Sequence, residues 1–157
     1  MPAVQTDFPG LIPRAQPGQL EGRGSDDGSL KANAAIPFGR ATKHDESAGT
    51  VTGVSKGVAQ AANKVTNFAG VTAKRPQYEA AQYSQHDMVG LRTRGLVWVQ
   101  VTSAVKRRNR VLVNAVEGTF STGNASAANP ELEDAAYMDD APASGYARVN
   151  LDVGPLK

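Results

Sequence analysis

The sequence predicts an all-β fold, a small β-barrel or β-sandwich of short antiparallel strands that follows an extended N-terminal arm. Three observations lead to this prediction. Valine, a strand-favouring residue, occurs 16 times and isoleucine twice. The 16 glycines and 9 prolines divide the chain into short segments. No long segment carries apolar residues at helical spacing. The length of 157 residues suits one core, so we expect a single β domain over 36–157.

The first part of the chain, 1–35, is predicted to be an extended or disordered arm. Its first 30 residues hold five glycines, four prolines and few large apolar side chains. The stretch "PGQLEGRGSDDGS" has neither the period of a strand nor that of a helix. Such a segment can order against a partner or remain free, and its composition does not decide between the two.

The next part of the chain mixes strand and turn signals. "IPFGRAT" suits an edge strand or the entry to a turn. Between Lys56 and Thr66 the apolar residues fall at helical spacing, which allows a short helix, whereas the nearby glycines and threonines favour loop or strand. "FAGVTAKR" is typical of a strand, with Phe68 and Val71 as its large apolar side chains.

The clearest pattern lies between Gly95 and Val116. "LVWVQVTSAV" and "RVLVNAV" are two valine-rich runs of strand length separated by "KRRN", which predicts a hairpin with a turn at 106–109. "LVWV" is apolar at consecutive positions, so we expect its strand to be buried on both faces, with Trp98 in the core. "EGTFSTG" and "AAYMDD" predict short strands. "YARVNLDV" alternates and predicts a strand whose Ala147, Val149, Leu151 and Val153 face the core.

Charge is unevenly distributed along the chain. Residues 51–120 hold ten basic and three acidic groups, whereas residues 121–157 hold two and six. This asymmetry suits packing against an anionic partner or against other copies. The chain has no cysteine, no apolar run long enough to span a bilayer and no signal-peptide pattern at its start. We therefore expect a protein made in the cytoplasm, with no membrane association.

Catalytic and metal-binding patterns lack their structural context. "GVSKG", residues 53–57, matches a nucleophile elbow without the strand, helix and downstream acid and histidine that an elbow needs. Ser103 and Lys106 match S-x-x-K at the end of a strand, where the pair would not share a site. His44, Asp45 and Glu46 are consecutive, so their side chains diverge. The sequence predicts no enzyme, cofactor or metal site.

Single-stranded nucleic acid is the alternative ligand that the basic middle allows. Barrels that bind single strands combine a positive groove with exposed aromatic rings. Tyr78 and Tyr83, beside Lys74 and Arg75, are the best candidates for such rings. With so few aromatic residues, nucleic-acid binding is the weaker hypothesis.

The order of several short motifs resembles the structural cement, or decoration, proteins of tailed bacteriophage capsids. The resemblance extends from Ile36 to Asp152. It rests on "IPFGRAT", "NFAGVTAKR", "YSQHDMVGLRTRGLVWVQV", "AVEGTFSTG" and "AAYMDDAPASGYARVNLD". Members commonly place Gly-Asp before the strand that enters "GLVWV" and again at the following turn. Here His86-Asp87 and Arg108-Asn109 occupy those positions, so glycine's freedom at positive φ is missing.

The resemblance implies a non-enzymatic β protein that binds the outer surface of a phage head and bridges major capsid subunits. It also implies a location on the virion and self-association as a dimer or trimer, with the arm along the capsid or a neighbouring copy. A tail or head-completion component is a further alternative. The four cations at and beside the predicted turn, Lys106, Arg107, Arg108 and Arg110, are the candidate contacts with an acidic capsid or neighbour surface.

Overall fold

A computed structural model describes residues 16–74 and 81–152. Within these ranges the chain forms thirteen β-strands and no helix, which confirms the all-β prediction. In chain order, β1 to β13 are Leu20–Lys31, Ile36–Pro37, Ala41–Ser47, Thr50–Lys56, Ala59–Ala61, Lys64–Thr66, Phe68–Thr72, Gln82–Tyr83, Met88–Gln100, Leu112–Val113, Phe120–Ser121, Ala135–Tyr137 and Tyr146–Asp152. No segment of the described residues is a helix that could span a membrane.

The long strand β9 organises the main antiparallel sheet. The sheet runs in the order β12-β13-β9-β7-β3-β4, and β1 also pairs with β9. Arg92 of β9 is opposite residues of both β1 and β7, and Val97 is opposite residues of both β1 and β13. The pairs β2-β8, β5-β6 and β10-β11 form smaller sheets. The barrel is not closed, and the sheets pack in a sandwich-like arrangement.

Two apolar clusters form the core. The larger one packs alternate residues of β9 and β13 against the smaller sheets, and Phe120 and Tyr137 are its largest fully buried side chains. The smaller one surrounds Tyr83, whose ring meets that of Phe38 edge to face with centroids 5.2 Å apart. The Tyr83 hydroxyl donates a hydrogen bond of 2.6 Å to the Ala73 carbonyl, so its polar end is satisfied inside the core.

The last strand follows its predicted alternation. Ala147, Val149 and Leu151 are buried, whereas the intervening residues are at least partly exposed. Val153, also predicted to face the core, lies outside the described residues. The short strands predicted at "EGTFSTG" and "AAYMDD" are β11 and β12, and the strand predicted at "FAGVTAKR" is β7.

The predicted hairpin between Gly95 and Val116 is wrong. β9 ends at Gln100, and β10 pairs with β11 instead of returning along β9. The flanks of β9 are occupied by β1, β7 and β13. Each valine-rich run contains part of a strand, β9 up to Gln100 and β10 at Leu112–Val113, but the partners of β9 come from segments that are distant in the sequence. The prediction paired two strands because they are close in the sequence, and that pairing is wrong. The predicted turn at 106–109 does form.

No helix forms between Lys56 and Thr66. β5 and β6 form a hairpin there, with Ala62 and Asn63 at its tip in the left-handed region, at φ of 52° and 62°. Gly57 precedes β5 at a φ of 95°, and a Cβ on it would lie 2.4 Å from the Ala115 carbonyl oxygen. The glycine thus permits close backbone contact, and the helical spacing of the apolar residues was coincidental.

The second half of the predicted arm forms β1, which pairs with β9 along nearly its whole length, with bulges. One bulged stretch covers Arg92, a side chain that is only 4% exposed. Arg92 Nε lies 2.7 Å from Asp26 Oδ1 as an ion pair whose N–H direction does not suit a hydrogen bond. A Cβ on Gly24 would lie 2.4 Å from Arg92 Nη1, so glycine makes this close passage possible.

Candidate interaction surface

The four cations predicted as a contact site lie on one exposed loop between β9 and β10. We call Lys106, Arg107, Arg108 and Arg110 the basic turn; all four are exposed. The Asn109 amide donates to the Lys106 carbonyl at 3.0 Å, and the Lys106 amide donates to Asn109 Oδ1 at 2.8 Å. The asparagine side chain therefore closes the turn from within.

The backbone of the basic turn is attached to the loop that follows β12. The Arg107 amide donates to Asp140 Oδ1 and the Arg108 amide donates to the Tyr137 carbonyl, both at 2.8 Å. Val105, which is buried, and Ala141 form an antiparallel bridge beside them. The main chain of the turn is thus fixed in position, and its side chains are exposed to solvent.

The basic turn differs from the rest of the surface in how its charges are paired. Lys106, Arg107 and Arg108 form no ion pair with any residue that the structure describes, whereas Arg110 pairs with Glu131 at 4.0 Å. Elsewhere most cations have a carboxylate partner. These pairs are Arg40 and Lys56 with Glu117, Lys64 with Glu133, Arg92 with Asp26, Arg94 with Asp152, and Arg148 with Glu21 and Asp139. The basic turn therefore concentrates unneutralised positive charge.

A second charged group lies on the face of the main sheet that is turned away from the larger core. We call Glu21, Trp98, Asp139 and Arg148 the Arg148 cluster. Arg148 donates from Nε and Nη2 to the two oxygens of Asp139 at 2.8 and 2.7 Å. Its Nη1 donates to Glu21 Oε1 at 2.9 Å, and its guanidinium lies 5.6 Å from the Trp98 ring centroid. The cluster joins β1, β9, β13 and the loop after β12.

Trp98 takes part in this cluster instead of entering the core as expected. Its indole is partly exposed, and Nε1 donates to Glu21 Oε2 at 3.1 Å. Val97 and Val99, on the opposite face of β9, are fully buried. The apolar run "LVWV" therefore faces the core on one side and a polar, aromatic cluster on the other.

Hydrogen bonding sets the ionisation of the cluster. The two hydrogen bonds from Arg148 hold the pKa of Asp139 below its ordinary value, and Arg107 adds a smaller attraction. The same bonds raise the pKa of Arg148. Because Arg107 acts on Asp139 while its amide binds Asp140, the loop after β12 links the Arg148 cluster to the basic turn.

Comparison with known protein families gives one match over nearly the whole chain. Residues 4–152 match the family described as "Structural cement protein (E217 gp24/Pam3 gp6)". The chain belongs to this family of structural cement proteins. The expectation from the short motifs is confirmed, and the cement protein is a structural component associated with the phage capsid. A comparison with curated protein sequences finds no match.

Two solved structures share the fold of the cement protein. A chain of the structure titled "The capsid of Myoviridae Phage XM1" has a TM-score of 0.70 at 16% identity, covering 92% of this chain and 97% of that chain. The "head fiber gp8.5 N base in bacteriophage phi29" has a TM-score of 0.50 at 11% identity, covering 78% and 90%. At these identities the likeness shows a common fold.

The two positions where the cement protein lacks glycine keep a left-handed backbone. His86 has a φ of 74° and Arg108 a φ of 70°. Glycine's conformation is therefore retained without glycine, although a Cβ in this region is unfavourable. The His86 amide donates a hydrogen bond of 2.7 Å to the Ala32 carbonyl. The hydrogen bond from the Arg108 amide to the Tyr137 carbonyl fixes the turn. These main-chain bonds hold the strained residues in place.

The other predicted site residues do not come together. Tyr83 is fully buried, so it offers no ring for base stacking, and Lys74 lies in a groove. Tyr78 and Arg75 lie outside the described residues. The first four residues of "GVSKG" lie in β4 and Gly57 follows the strand, and the described residues contain no cluster of metal-ligating side chains.

The Arg148 cluster was not predicted from the sequence. Glu21 and Arg148 are 127 residues apart, and neither belongs to a recognised motif. The alternation of "YARVNLDV" predicts only that Arg148 points away from the core. The one available signal was an arginine on the outward face together with a tryptophan in the strand "LVWV", a pair that can meet across adjacent strands. Arg148 and Trp98 are indeed directly opposite in the β13–β9 register.

Proposed function

We propose that this protein binds the outer surface of the phage head, contacts the major capsid protein through the basic turn and stabilises the capsid lattice. The observation that supports the contact is the basic turn itself, which combines a fixed backbone with three cations that have no ion-pair partner among the described residues. A partner surface with carboxylates would supply the missing counter-charges without any rearrangement of the turn.

The stabilising role follows from mass action. A protein that binds the assembled lattice better than free subunits shifts the equilibrium toward the assembled shell. Self-association into a dimer or trimer would let one particle of this protein contact several capsid subunits, which raises its effective affinity. The role requires no catalytic residue, and we propose that the protein is not an enzyme.

Cosedimentation with phage heads tests the proposed contact. The triple variant Lys106→Glu, Arg107→Glu and Arg108→Glu should bind heads about tenfold or more weakly, because it places negative charge opposite carboxylates. Lys31→Glu, Lys43→Glu and Lys64→Glu together make the same change in charge away from the turn and should bind normally. Equal loss of binding in both triple variants would show that the change in net charge explains the effect, and it would overturn the specific contact.

Two further measurements separate the proposed role from the alternatives. Heads that lack the protein should rupture at a lower temperature than heads that carry it; equal thermal survival contradicts the stabilising role. Labelled protein should cover the whole head, whereas labelling of a single vertex would indicate a tail or head-completion component. Binding to oligonucleotides at low salt, weakened by the same triple variant, would instead indicate a nucleic-acid contact.

A further inference from the structure

An acidic residue lies directly against the basic turn. Asp140, in the loop after β12, is exposed, and its Oδ1 accepts a hydrogen bond of 2.8 Å from the Arg107 amide. Its carboxylate forms no ion pair with any cation that the structure describes. Asp140 therefore acts on the main chain of the turn and leaves the charges of the turn unpaired.

The main chain that Asp140 holds is strained. The two central residues of the turn donate their amides to the loop after β12, Arg107 to Asp140 and Arg108 to the Tyr137 carbonyl, both at 2.8 Å. Arg108 has a φ of 70°, which is unfavourable for a residue with a Cβ. Such a conformation persists only where surrounding contacts hold it. Of the two hydrogen bonds that hold it, only the one to Asp140 depends on a side chain.

The loop holds Asp140 in place on both sides. The preceding residue, Asp139, accepts hydrogen bonds of 2.8 and 2.7 Å from the Arg148 guanidinium. The following residue, Ala141, exchanges two backbone hydrogen bonds of 2.9 and 3.0 Å with Val105. Val105 directly precedes the turn, so the loop and the turn are fixed to each other. A contact that is ordered before binding loses less conformational entropy than a mobile one.

We propose that Asp140 is a positioning residue of the capsid contact. Through the Arg107 amide it orients Arg107 and Arg108 toward the carboxylates of the partner, although its own negative charge repels those carboxylates. Repulsion between exposed charges is weak and is screened by salt, whereas loss of the acceptor releases both arginines at once. Positioning is therefore the larger effect. The inference rests on the proposed function, because Asp140 acts through the contact that the basic turn makes.

Two neutral variants separate the position of the turn from the charge beside it. Asp140→Asn and Asp140→Ala remove the same charge, but only asparagine keeps an oxygen that can accept from the Arg107 amide. In cosedimentation with phage heads, Asp140→Asn should bind at least as tightly as the wild type. Asp140→Ala should bind about three- to tenfold more weakly, because the turn loses one of its hydrogen bonds to the loop. An alanine variant that binds as tightly as the asparagine variant would overturn the proposal.

Glu46 supplies the matched control. It is an exposed acid of β3 with no ion pair among the described residues. Glu46→Gln and Glu46→Ala make the same changes in charge and length away from the turn, and they should bind heads equally. A difference between them as large as that at Asp140 would show a general effect of shortening a surface acid, and it would overturn the proposal.

Amide hydrogen exchange in the free protein gives a second readout that does not depend on heads. Relative to Asp140→Asn, Asp140→Ala should speed exchange at Arg107 and Arg108 about threefold or more, and it should leave buried Val149 unchanged. Unchanged exchange at both arginines would overturn the proposal. Faster exchange at Val149 as well would indicate a general loss of structure and would overturn the positioning role.

The cations of the turn must be present for Asp140 to act. With Arg107→Ala and Arg108→Ala in the same protein, the two Asp140 variants should bind heads within about twofold of each other. A full difference in that background would overturn the inference. A triple variant Lys106→Glu, Arg107→Glu and Arg108→Glu that binds like the wild type would overturn the proposed contact itself. If this triple variant binds weakly and Asp140→Ala binds like Asp140→Asn, the inference alone is overturned.

Discussion

The Arg148 cluster and the basic turn use arginine in opposite ways. In the cluster, each of the three Arg148 guanidinium nitrogens donates to Glu21 or Asp139 and the group lies over Trp98, so its charge is neutralised inside the molecule. In the basic turn, the backbone makes the internal hydrogen bonds and the guanidinium groups remain in solvent. The comparison teaches that an arginine whose side chain forms ion pairs stabilises the fold. An arginine whose position is fixed by its backbone keeps its charged side chain available for a partner.

The largest expected effect comes from removing the centre of the cluster. Arg148→Ala should lower the free energy of unfolding by about 2 kcal/mol, because it leaves the carboxylates of Glu21 and Asp139 without their common guanidinium and removes the cation from the Trp98 ring. Arg107→Ala should change it by less than about 0.5 kcal/mol. Urea unfolding followed by circular dichroism measures both. Similar values for the two variants would break the comparison.

The pH dependence of stability should identify Asp139 as the titrating partner. Its pKa is lowered in the folded protein, so folding stability from this group is complete above the unfolded pKa of about 3.9 and is lost as the pH falls through the folded pKa. Asp139→Asn should be less stable by about 1–2 kcal/mol at pH 7 and should converge with the wild type once the pH is below the folded pKa of Asp139. A constant difference across this range would exclude the titration of Asp139 as the cause. Denaturant midpoints at several pH values measure it.

A smaller effect is expected at the aromatic member of the cluster. Trp98→Phe keeps a ring beneath Arg148 but removes the donor to Glu21, and should cost about 1 kcal/mol. In an Arg148→Ala background the same change should cost less, since the two residues interact. A double-mutant cycle by calorimetry measures this coupling. Equal costs in both backgrounds would show that Trp98 and Arg148 act independently.

The smallest effect sharpens the comparison at the basic turn. Arg108→Gly should raise the free energy of unfolding by up to about 1 kcal/mol, because glycine accepts the φ of 70° without a Cβ penalty. Arg108→Ala keeps that penalty and should not stabilise. Both variants remove the same charge, so the difference between their thermal unfolding midpoints measures the backbone effect alone. If the alanine variant were as stable as the glycine variant, loss of the arginine charge and not the backbone would explain the gain.

Sequence patterns predicted those parts of the molecule that depend on neighbouring residues. The alternation of the last strand and the turn at 106–109 are both local and both confirmed. The hairpin was wrong because burial on both flanks of β9 makes its pairing a choice among β1, β7 and β13, which lie far away in the sequence. Glu21 and Arg148 are likewise far apart in the sequence, so no motif spacing could indicate that they form an ion pair. Glycine-rich β1 shows no alternation because its bulges break the strand period around Arg92.

The position of Glu21 has a mechanical consequence. Glu21 is the second residue of β1, and it is bound to both Arg148 and Trp98 close to the point where the chain enters the sheet. Tension on the chain before β1 reaches this point before it reaches the rest of β1. Peeling would break the hydrogen bonds of Gly18 and Gln19 to Trp98, then the contacts of Glu21, and only then the later β1–β9 hydrogen bonds one after another. The Arg148 cluster therefore resists force early, and it protects the rest of the sheet when the chain before β1 is pulled.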